Sequence, residues 1–445
     1  MMGLMVSEET TRTTTPPTEQ HTPAGAAAPE APGAQREPRT PAPRAWATRL
    51  VVAGIVLSAL NLRPAITSLG ALLEEVRDGL GMSGSVAGLL TSVPPLCFAV
   101  FGVMAPRLAR RFGPAAVVCA GMAAITAGLV IRPYIGSTVA FLAASALALM
   151  GIAVSNVLMP VIVKRWFPDR VGSMTGLYSM ALALGTSTAA AVTVPLTDAL
   201  GGWQPGLAVW ALLAAVAVLP WLPLIRHRDA AGAERPEHAR RDTPREEPAP
   251  ALRITRSRTA WALAVFFGLQ ATAAYITMGW MPQIFRDAGV PAGTAGLLLA
   301  VTMVMGVPLA FVIPRLATRL PHQGPIVLVL GVCGLAGYAG LYLAPAGGAW
   351  AWAVLLGVSN CAFPLALTMV GMRARSGPGV AQLSAFAQSA GYLISIPGPL
   401  LVGVLYQSSG GWGVPIALMT ALMIPQMLVG WLAGRNRTVE EEAAR

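Results

Sequence analysis

The sequence predicts an all-α membrane protein with twelve transmembrane helices arranged as two six-helix bundles. Of its 445 residues, 55% are hydrophobic and only 11% are charged. Apolar runs of about 18 to 25 residues recur along the chain, which is the length that a membrane-spanning helix needs. Short motifs of the first half also recur in the second half. A soluble chain of this length would need more polar surface, so we expect most of it to lie in lipid.

Twelve apolar runs are long enough to cross about 30 Å of hydrocarbon. They lie at 48–72, 83–105, 114–131, 138–163, 172–194, 206–225, 258–281, 294–314, 325–343, 349–371, 380–405 and 412–433. Segment 1–45 is poor in large apolar residues and predicts a disordered tail. Segment 227–257, rich in Arg, Glu and Pro, predicts a flexible linker between an N-terminal bundle at 46–226 and a C-terminal bundle at 258–434. Residues 435–445 are predicted to form a second tail.

The positions of the basic residues predict the orientation of the chain. Loops that follow even-numbered helices contain most of the Arg and Lys outside the tails, whereas loops that follow odd-numbered helices contain Arg77, Arg132 and Arg286. Basic loops of inner-membrane proteins stay in the cytoplasm. We therefore expect a multi-pass protein of the inner (plasma) membrane with both termini in the cytoplasm.

The net charge of +11 raises nucleic-acid binding as an alternative. The basic residues instead lie in short loops, without a basic and aromatic surface for bases, so we expect no nucleic acid. Four cysteines stand singly and four histidines lie outside the apolar runs, a pattern that predicts no metal site and no cofactor. The predicted partners are the lipid bilayer and a small-molecule solute. A chain with two bundles is expected to be monomeric.

Two sets of matching motifs indicate an internal repeat of six helices. The separation between matching motifs is 208 residues in both pairs of the first set and 204 residues in the second set. The sets are Ala87–Leu90 with Pro106–Ala109 against Ala295–Leu298 with Pro314–Ala317, and Val154–Pro160 against Val358–Pro364. Because six is an even number, both halves begin and end on the same face. The repeat is therefore parallel, about an axis along the membrane normal.

Arg63 is the one charged residue well inside a predicted span. It lies in the outer half of helix 1, beside Pro64, which lacks an amide hydrogen and disturbs the helix there. A charge at the bilayer centre costs roughly 2.5 to 3.5 kcal/mol on insertion scales, so it should face a protein interior or a water-filled path. We interpret Arg63 as a fixed cation for an anionic or dipolar substrate. The alternative is a structural arginine that reaches the interface or binds backbone carbonyls.

Asn156 and Asn360 occupy equivalent positions of the repeat, about midway along helices 4 and 10. An unpaired amide is costly in lipid, so each should face protein, water or substrate. Lining of a central path and hydrogen bonding between helices are equally consistent with this pattern. Other residues predicted to line the path are Asn61, Tyr178, Gln270, Tyr275, Gln388 and Tyr392, with Trp280 either there or in an interfacial belt.

The segment Gly102–Gly113 follows helix 2 and resembles the signature loop of the major facilitator superfamily. In that family a Gly, an Asp-Arg pair and a basic cluster help to close the cytoplasmic side. Arg107, Arg110 and Arg111 match the basic positions and are predicted to form a cytoplasmic gate, the alternative being that they only set topology. Pro106 stands where the family has Asp, so the acidic half of the gate interaction is missing.

Three further stretches resemble the cyanate and nitroimidazole transporter family of that superfamily. They are Asn61–Thr67 in helix 1, Gly151–Pro160 continuing to Lys164–Pro168, and Tyr275–Pro282 in helix 7. The resemblance covers residues 46–434. It implies a secondary transporter that moves a small anionic or polar, cyanate-like solute across the inner membrane by alternating access.

Other functions are weaker alternatives. The main one is a drug or metabolite exporter of the same fold with proton antiport, but helix 5 lacks the Gly-Pro-x-x-Gly-Gly pattern of drug and proton antiporters. The predicted spans contain neither acid nor histidine, which favours uniport and leaves an enzyme without a nucleophile and base pair. A receptor is disfavoured because the tails and linker lack the apolar residues of a soluble domain.

Overall fold

The computed structural model describes residues 45–226 and 254–443, which fold into helices joined by short turns. Twelve helices within these ranges are long and apolar enough to cross a membrane. The predicted all-helical class and the predicted number of helices are therefore confirmed. The tail predicted at 1–45 and the linker predicted at 227–257 lie almost wholly outside the described residues.

The twelve helices begin close to their predicted positions. Helices 1 to 12 are Ala45–Ala71, Gly84–Phe112, Pro114–Tyr134, Thr138–Trp166, Ser173–Leu200, Trp203–Ile225, Arg258–Asp287, Ala292–Arg319, Gly324–Leu343, Ala349–Met372, Gly379–Ser409 and Gly413–Ala433. Between and beyond them lie two short α-helices, Leu73–Leu80 and Val439–Ala443, and the 3-10 turns Pro168–Arg170 and Ile254–Arg256. A third 3-10 turn, Arg132–Tyr134, ends helix 3.

Five of these helices consist of shorter segments. In helix 1, the segment Ala45–Asn61 is followed by Pro64–Ala71, so the break that Pro64 predicts is present and Arg63 lies in it. The Arg63 carbonyl oxygen accepts hydrogen bonds from the amides of Ile66 (2.9 Å) and Thr67 (3.1 Å), which starts the second segment. The other segments are Trp203–Ala208, Trp210–Val218 and Trp221–Arg226 in helix 6, Ala292–Val304 and Gly306–Arg319 in helix 8, Ala349–Asn360 and Ala362–Met372 in helix 10, and Gly377–Ser395 and Pro397–Ser409 in helix 11.

Helix 2 runs further than predicted, and this changes the position of the signature segment. The helix continues to Phe112 and ends where Gly113 adopts a φ of 85°, a value that favours glycine. Arg107, Arg110 and Arg111 therefore lie on its last turns, and their predicted place in a loop is wrong.

Helices 5 and 7 also continue past prolines. They pass through Pro195 and Pro282 and end at Leu200 and Asp287. In lipid no water replaces a lost backbone hydrogen bond. Leaving the helix at a proline would therefore cost more than continuing it, and the chain stays helical. Asp198 and Asp287 consequently belong to the final turns of these helices.

The two faces of the molecule are named here by the helices that end on them. Odd-numbered helices end on the odd side, where polar contacts join the two halves. Arg286 of helix 7 binds Glu74 and Glu75 of the short helix Leu73–Leu80, each at 2.9 Å. Close by, the amide and hydroxyl of Ser85 in helix 2 donate to Gln407 Oε1 in helix 11, at 2.9 and 2.8 Å.

Close helix packing continues this junction towards the molecular centre. A Cβ atom on Gly88 of helix 2 would lie 2.8 Å from the Leu400 carbonyl oxygen of helix 11, so only glycine allows this approach. The Trp280 indole of helix 7 donates to the Thr91 hydroxyl of helix 2 at 3.2 Å, and Trp280 is fully buried. It does not lie in an interfacial belt. The halves are thus closely packed on the odd side.

The even side, where even-numbered helices end, carries the short helix Val439–Ala443. Glu442 accepts hydrogen bonds at the start of helix 7 from Ser257 Oγ (2.6 Å), Thr259 Oγ1 (2.8 Å) and the Thr259 amide (3.1 Å). Part of the segment predicted as a tail is therefore folded against the bundle.

Candidate solute-binding site

The break in helix 1 places Arg63 among aromatic side chains from both halves of the molecule. Its guanidinium carbon lies 6.0 Å from the centroid of the Phe98 ring in helix 2. Its strongest electrostatic partners are the hydroxyls of Tyr275, Tyr392 and Tyr178, on helices 7, 11 and 5, and Tyr275 is within hydrogen-bonding reach. Helices 2 and 5 belong to the first half and helices 7 and 11 to the second. Arg63 is half-buried where they meet.

No carboxylate inside the twelve described helices neutralises this charge. Their acids, Asp198 and Asp287, lie in the final turns of helices 5 and 7. Tyrosine hydroxyls are uncharged at neutral pH, so they orient the guanidinium without cancelling its charge. The cluster therefore keeps a positive potential that attracts an anion.

Aromatic rings form one wall of the Arg63 cluster. The rings of Phe98 and Tyr392 stack with their centroids 5.0 Å apart and their planes 22° apart. The Phe267 ring meets Tyr392 edge-on, with centroids 5.2 Å apart. Stacked and edge-on contacts hold the rings in fixed orientations, so they offer flat apolar surfaces beside a cation.

Asn156 joins the cluster through Tyr178. The Tyr178 hydroxyl of helix 5 donates to Asn156 Oδ1 of helix 4, and both residues are half-buried. The structure therefore brings four residues that the sequence singles out, Asn156, Tyr178, Tyr275 and Tyr392, to Arg63. Their role as ligands of a solute stays a prediction.

Asn360 and Gln270 form a separate polar cluster within the second half. Gln270 Nε2 lies 3.3 Å from both the side-chain and the backbone oxygen of Asn360, at the break in helix 10. A cavity of about 10 Å³ adjoins them, with Tyr338 of helix 9 and Gln426 of helix 12 in its wall. The two equivalent asparagines of the repeat thus have different surroundings. That Asn360 and Gln270 contact the solute also stays a prediction.

Asn61 and Gln388 use their amide donors within the protein. Asn61 Nδ2 donates to the carbonyl oxygens of Leu57 (2.7 Å) and Leu213 (3.1 Å), which fastens helix 1 to helix 6. Gln388 Nε2 donates to Ser384 Oγ, one turn earlier in helix 11, at 2.8 Å. These contacts fit the alternative in which polar groups bond within and between helices.

The three arginines of the predicted gate are exposed at the even-side end of helix 2. The Arg111 guanidinium lies 5.1 Å from the centroid of the neighbouring Phe112 ring. This exposure fits either a gate or a determinant of topology, so the gate stays a prediction.

Arg132 is a buried cation, and its predicted place in a loop after helix 3 is wrong. Only 1% of its surface is exposed, because the 3-10 turn at the end of helix 3 packs it against helix 1. Its Nη1 donates to the Ala65 carbonyl oxygen at 3.1 Å. The sequence contains one signal for this position, since Arg132 precedes Pro133 as Arg63 precedes Pro64.

The groups around Arg63 are suited to bind a solute. The Arg63 cluster offers a cation, neutral hydroxyls and ring faces. Within residues 45–226 and 254–443, no group of three or more His, Cys, Asp or Glu side chains is placed to hold a metal ion.

Comparisons with known proteins agree with this fold. A model of the Major Facilitator Superfamily matches residues 51–375. The chain is 35% identical over 395 residues to the uncharacterized transporter YycB of Bacillus subtilis, covering 87% of this chain and 94% of that one. It is 32% identical over 394 residues to the 2-nitroimidazole transporter of Escherichia coli, covering 88% and 96%. It is 29% identical over 377 residues to the cyanate transport protein CynX of Escherichia coli, covering 84% and 94%.

A solved structure shares the same architecture. A crystal structure of the nucleoside transporter NupG superimposes with a TM-score of 0.70 at 12% identity, covering 86% of this chain and 99% of that one. At this identity the likeness shows the fold alone. The matching family and the relatives are transporters and not enzymes. The chain is therefore a multi-pass membrane transporter that belongs to the Major Facilitator Superfamily, of the cyanate and nitroimidazole type.

Proposed function

We propose that this transporter moves a small anionic or strongly polar solute by alternating access, with Arg63 as its fixed cation. The observation that carries the proposal is the position of Arg63 in the break of helix 1, beside tyrosines from both halves. A site that both halves share can be exposed to either face when one half rocks against the other.

The surroundings of Arg63 support a small and flat or linear solute. The guanidinium attracts negative charge and donates hydrogen bonds, while the rings of Phe98 and Tyr392 provide flat surfaces beside it. Two relatives are named for such solutes, 2-nitroimidazole and cyanate. We infer that the solute of this chain belongs to the same chemical class.

We infer that the even side faces the cytoplasm of the cell that makes the protein, in its inner membrane. The even side carries most of the loop arginines, which basic cytoplasmic loops would explain. The odd side would then face outwards. Its contacts between the halves, Arg286 with Glu74 and Glu75 among them, would represent a state closed to the exterior.

We also infer that transport is not coupled to protons. Proton-coupled carriers use a titratable acid or histidine in the path, and the acids of the described helices lie in end turns. The test is uptake of radiolabelled cyanate and 2-nitroimidazole into proteoliposomes, with and without an imposed pH gradient. Saturable uptake of either solute that does not respond to the gradient is expected.

Two results of this uptake experiment would contradict the proposal. Absence of saturable uptake for both solutes would remove this substrate class. Uptake or efflux driven by the gradient would contradict uniport and favour the alternative of an exporter with proton antiport.

A further inference from the structure

A cavity of about 20 Å³ lies on the odd-side flank of the Arg63 cluster, between helices 1, 2, 3, 4 and 7. Arg132 and Ser145 contribute polar groups to its wall, and Tyr275 separates it from Arg63. Most of the remaining wall is apolar, with Ile66 and Leu69 among its residues. A volume of this size exceeds the minimum for one water molecule and accommodates a single small species.

Three polar atoms in the wall of this cavity lack hydrogen-bond partners within the described part of the chain. Arg132 Nε and Nη2 and Ser145 Oγ are buried and have no hydrogen-bond partner among the described residues. The Thr91 hydroxyl in the same wall is satisfied, because it donates to the Gly88 carbonyl oxygen (2.9 Å) and accepts from the Trp280 indole (3.2 Å). Unpaired donors of a buried guanidinium are costly, so the cavity favours a species that accepts their hydrogen bonds.

The charge of Arg132 decides whether water or a small anion is the better occupant of this cavity. None of the residues that line the cavity is acidic, so the positive charge of Arg132 is not compensated there. Water would accept hydrogen bonds but leave the charge uncompensated in an apolar surrounding. A small anion does both, and hydrogen bonds between ionised groups are the stronger kind.

We propose that this cavity binds a small monovalent inorganic anion, of about the size of chloride, through Arg132 Nε, Arg132 Nη2 and Ser145 Oγ. The site is separate from Arg63, with Tyr275 between them. Arg132 also holds the Ala65 carbonyl oxygen, two residues beyond Arg63 in helix 1. The bound anion therefore fixes the odd-side segment of helix 1 against helices 3 and 4. The inference does not depend on which solute the transporter moves.

The test is thermal unfolding of the purified protein in detergent while sodium bromide replaces sodium gluconate at constant ionic strength. Gluconate is too large for the cavity and serves as the inert anion. An anion that binds only the folded state stabilises it by RT ln(1 + [anion]/Kd), so Tm begins to rise near the Kd and keeps rising with the logarithm of the anion concentration. For the wild type we expect a rise in Tm that begins near the Kd and grows with the logarithm of the bromide concentration. We expect no rise for Arg132→Gln, and for Ser145→Ala a rise that begins at a several-fold higher bromide concentration. The control Arg63→Gln is expected to keep the wild-type response.

Three outcomes would overturn the proposal. The first is a wild-type Tm that does not change with bromide, and the second is a rise that persists in both Arg132→Gln and Arg63→Gln. The third is a rise that Arg63→Gln removes and Arg132→Gln keeps, which would assign the anion to the central site. If Arg132→Gln cannot be purified, Ser145→Ala decides, because a rise in its Tm that begins at the same bromide concentration as in the wild type also overturns the proposal.

Repeating the titration with cyanate distinguishes two sources of the anion. The comparison is made in the Arg63→Gln background, which lacks the central cation. There, a cyanate-dependent rise that added Arg132→Gln removes identifies the transported solute as an occupant, whereas a response to bromide alone identifies an ambient halide. Because unfolding is measured without transport, this test and the uptake experiment fail independently of each other.

Discussion

Three buried or half-buried arginines in this transporter differ in how their donors are satisfied. Arg373, on the even side, is buried and binds the Gly434 carbonyl oxygen (2.8 Å) and the Gln323 side chain, which fits a structural role. Arg132 has two nitrogens without partners, and Arg63 faces tyrosine hydroxyls and a ring. Burial alone therefore does not mark a functional arginine. The criterion that we use to propose a function is whether the fold leaves donors of the guanidinium without a protein acceptor.

The Tyr178→Phe substitution tests the link between Asn156 and the Arg63 cluster. It removes the hydroxyl that bonds Asn156 and faces Arg63. A neutral hydrogen bond contributes about 1 kcal/mol, so we expect the KM for uptake to rise about fivefold without a loss of folded protein. The matched control is Tyr134→Phe, because Tyr134 is 65% exposed. Equal KM values for Tyr178→Phe and the wild type would remove Tyr178 from the solute site.

The sequence was sufficient to predict that Arg63 lies among the helices, because a charge within a long apolar run stands out against the cost of its burial. Arg132 lies at the end of such a run, where exposure is the usual outcome, and its burial depends on the packing of helix 3 against Ala65 of helix 1. The repeat did not predict the different partners of Asn156 and Asn360. Those partners, Tyr178 and Gln270, come from helices that are not equivalent in the two halves.

Among the helices, the short Val439–Ala443 element shows how a polar segment is held at the bundle surface. Glu440 accepts hydrogen bonds from the amides of Arg375 (2.9 Å) and Ser376 (3.2 Å) at the start of helix 11, as Glu442 does at the start of helix 7. Free amides at helix starts carry a partial positive charge, so carboxylates stabilise them. One short helix thereby connects the even-side ends of two transmembrane helices.

These carboxylates predict a dependence of stability on pH. Partial burial opposes their ionisation, but the hydrogen bonds that they accept outweigh it and hold the pKa of Glu440 and of Glu442 below the usual value. A lowered pKa in the folded state stabilises the protein above the unfolded pKa of about 4.3, and this contribution disappears as the pH falls through the folded pKa.

We therefore expect the double variant Glu440→Gln/Glu442→Gln to have a lower Tm than the wild type at pH 7 and a smaller loss of Tm on acidification below about pH 4.3. Thermal unfolding in detergent across this pH range measures both effects. The control is Asp78→Asn, at an exposed position on the odd side, which should keep the pH dependence of the wild type. Parallel curves for the double variant and the wild type would contradict this account.

Helix number and helix starts follow from apolar length, because twelve separate runs within the described residues are each long enough to cross the hydrocarbon. Helix ends were less predictable. Proline suggests an end at Pro195 and Pro282, but the low-polarity surroundings of the bilayer favour continued helix, and both helices pass through. At Pro64 the break is present, because the polar side chains around Arg63 make an interrupted helix tolerable there.

For the whole molecule, the arrangement of the two halves predicts which contacts hold one state. On the odd side, Arg286 binds Glu74 and Glu75, and its side chain is 17% exposed. Each partly exposed ion pair contributes up to about 1 kcal/mol, so loss of both should shift the balance towards an open odd side by about tenfold.

The native Cys97 provides a reporter for this shift, since it is buried in helix 2 close to Tyr275. In a variant that keeps Cys97 as its single cysteine, we expect a thiol reagent applied from the odd side to label it about tenfold faster when Arg286→Gln is added. Arg319→Gln, an exposed arginine of the even side, is the matched control. An unchanged labelling rate in Arg286→Gln would show that these ion pairs do not control access.

The central claim is that Arg63 supplies the charge that binds the solute, and transport by Arg63→Gln tests it most directly. Uptake of the solute that the wild type moves is measured in proteoliposomes for the wild type, Arg63→Gln and Arg319→Gln. Hydrogen bonds to a charged group contribute about 1.5 to 3 kcal/mol, so we expect uptake at low solute concentration to fall by about one to two orders of magnitude in Arg63→Gln. The Arg319→Gln control should transport as the wild type does. Wild-type uptake by correctly inserted Arg63→Gln protein would contradict the claim.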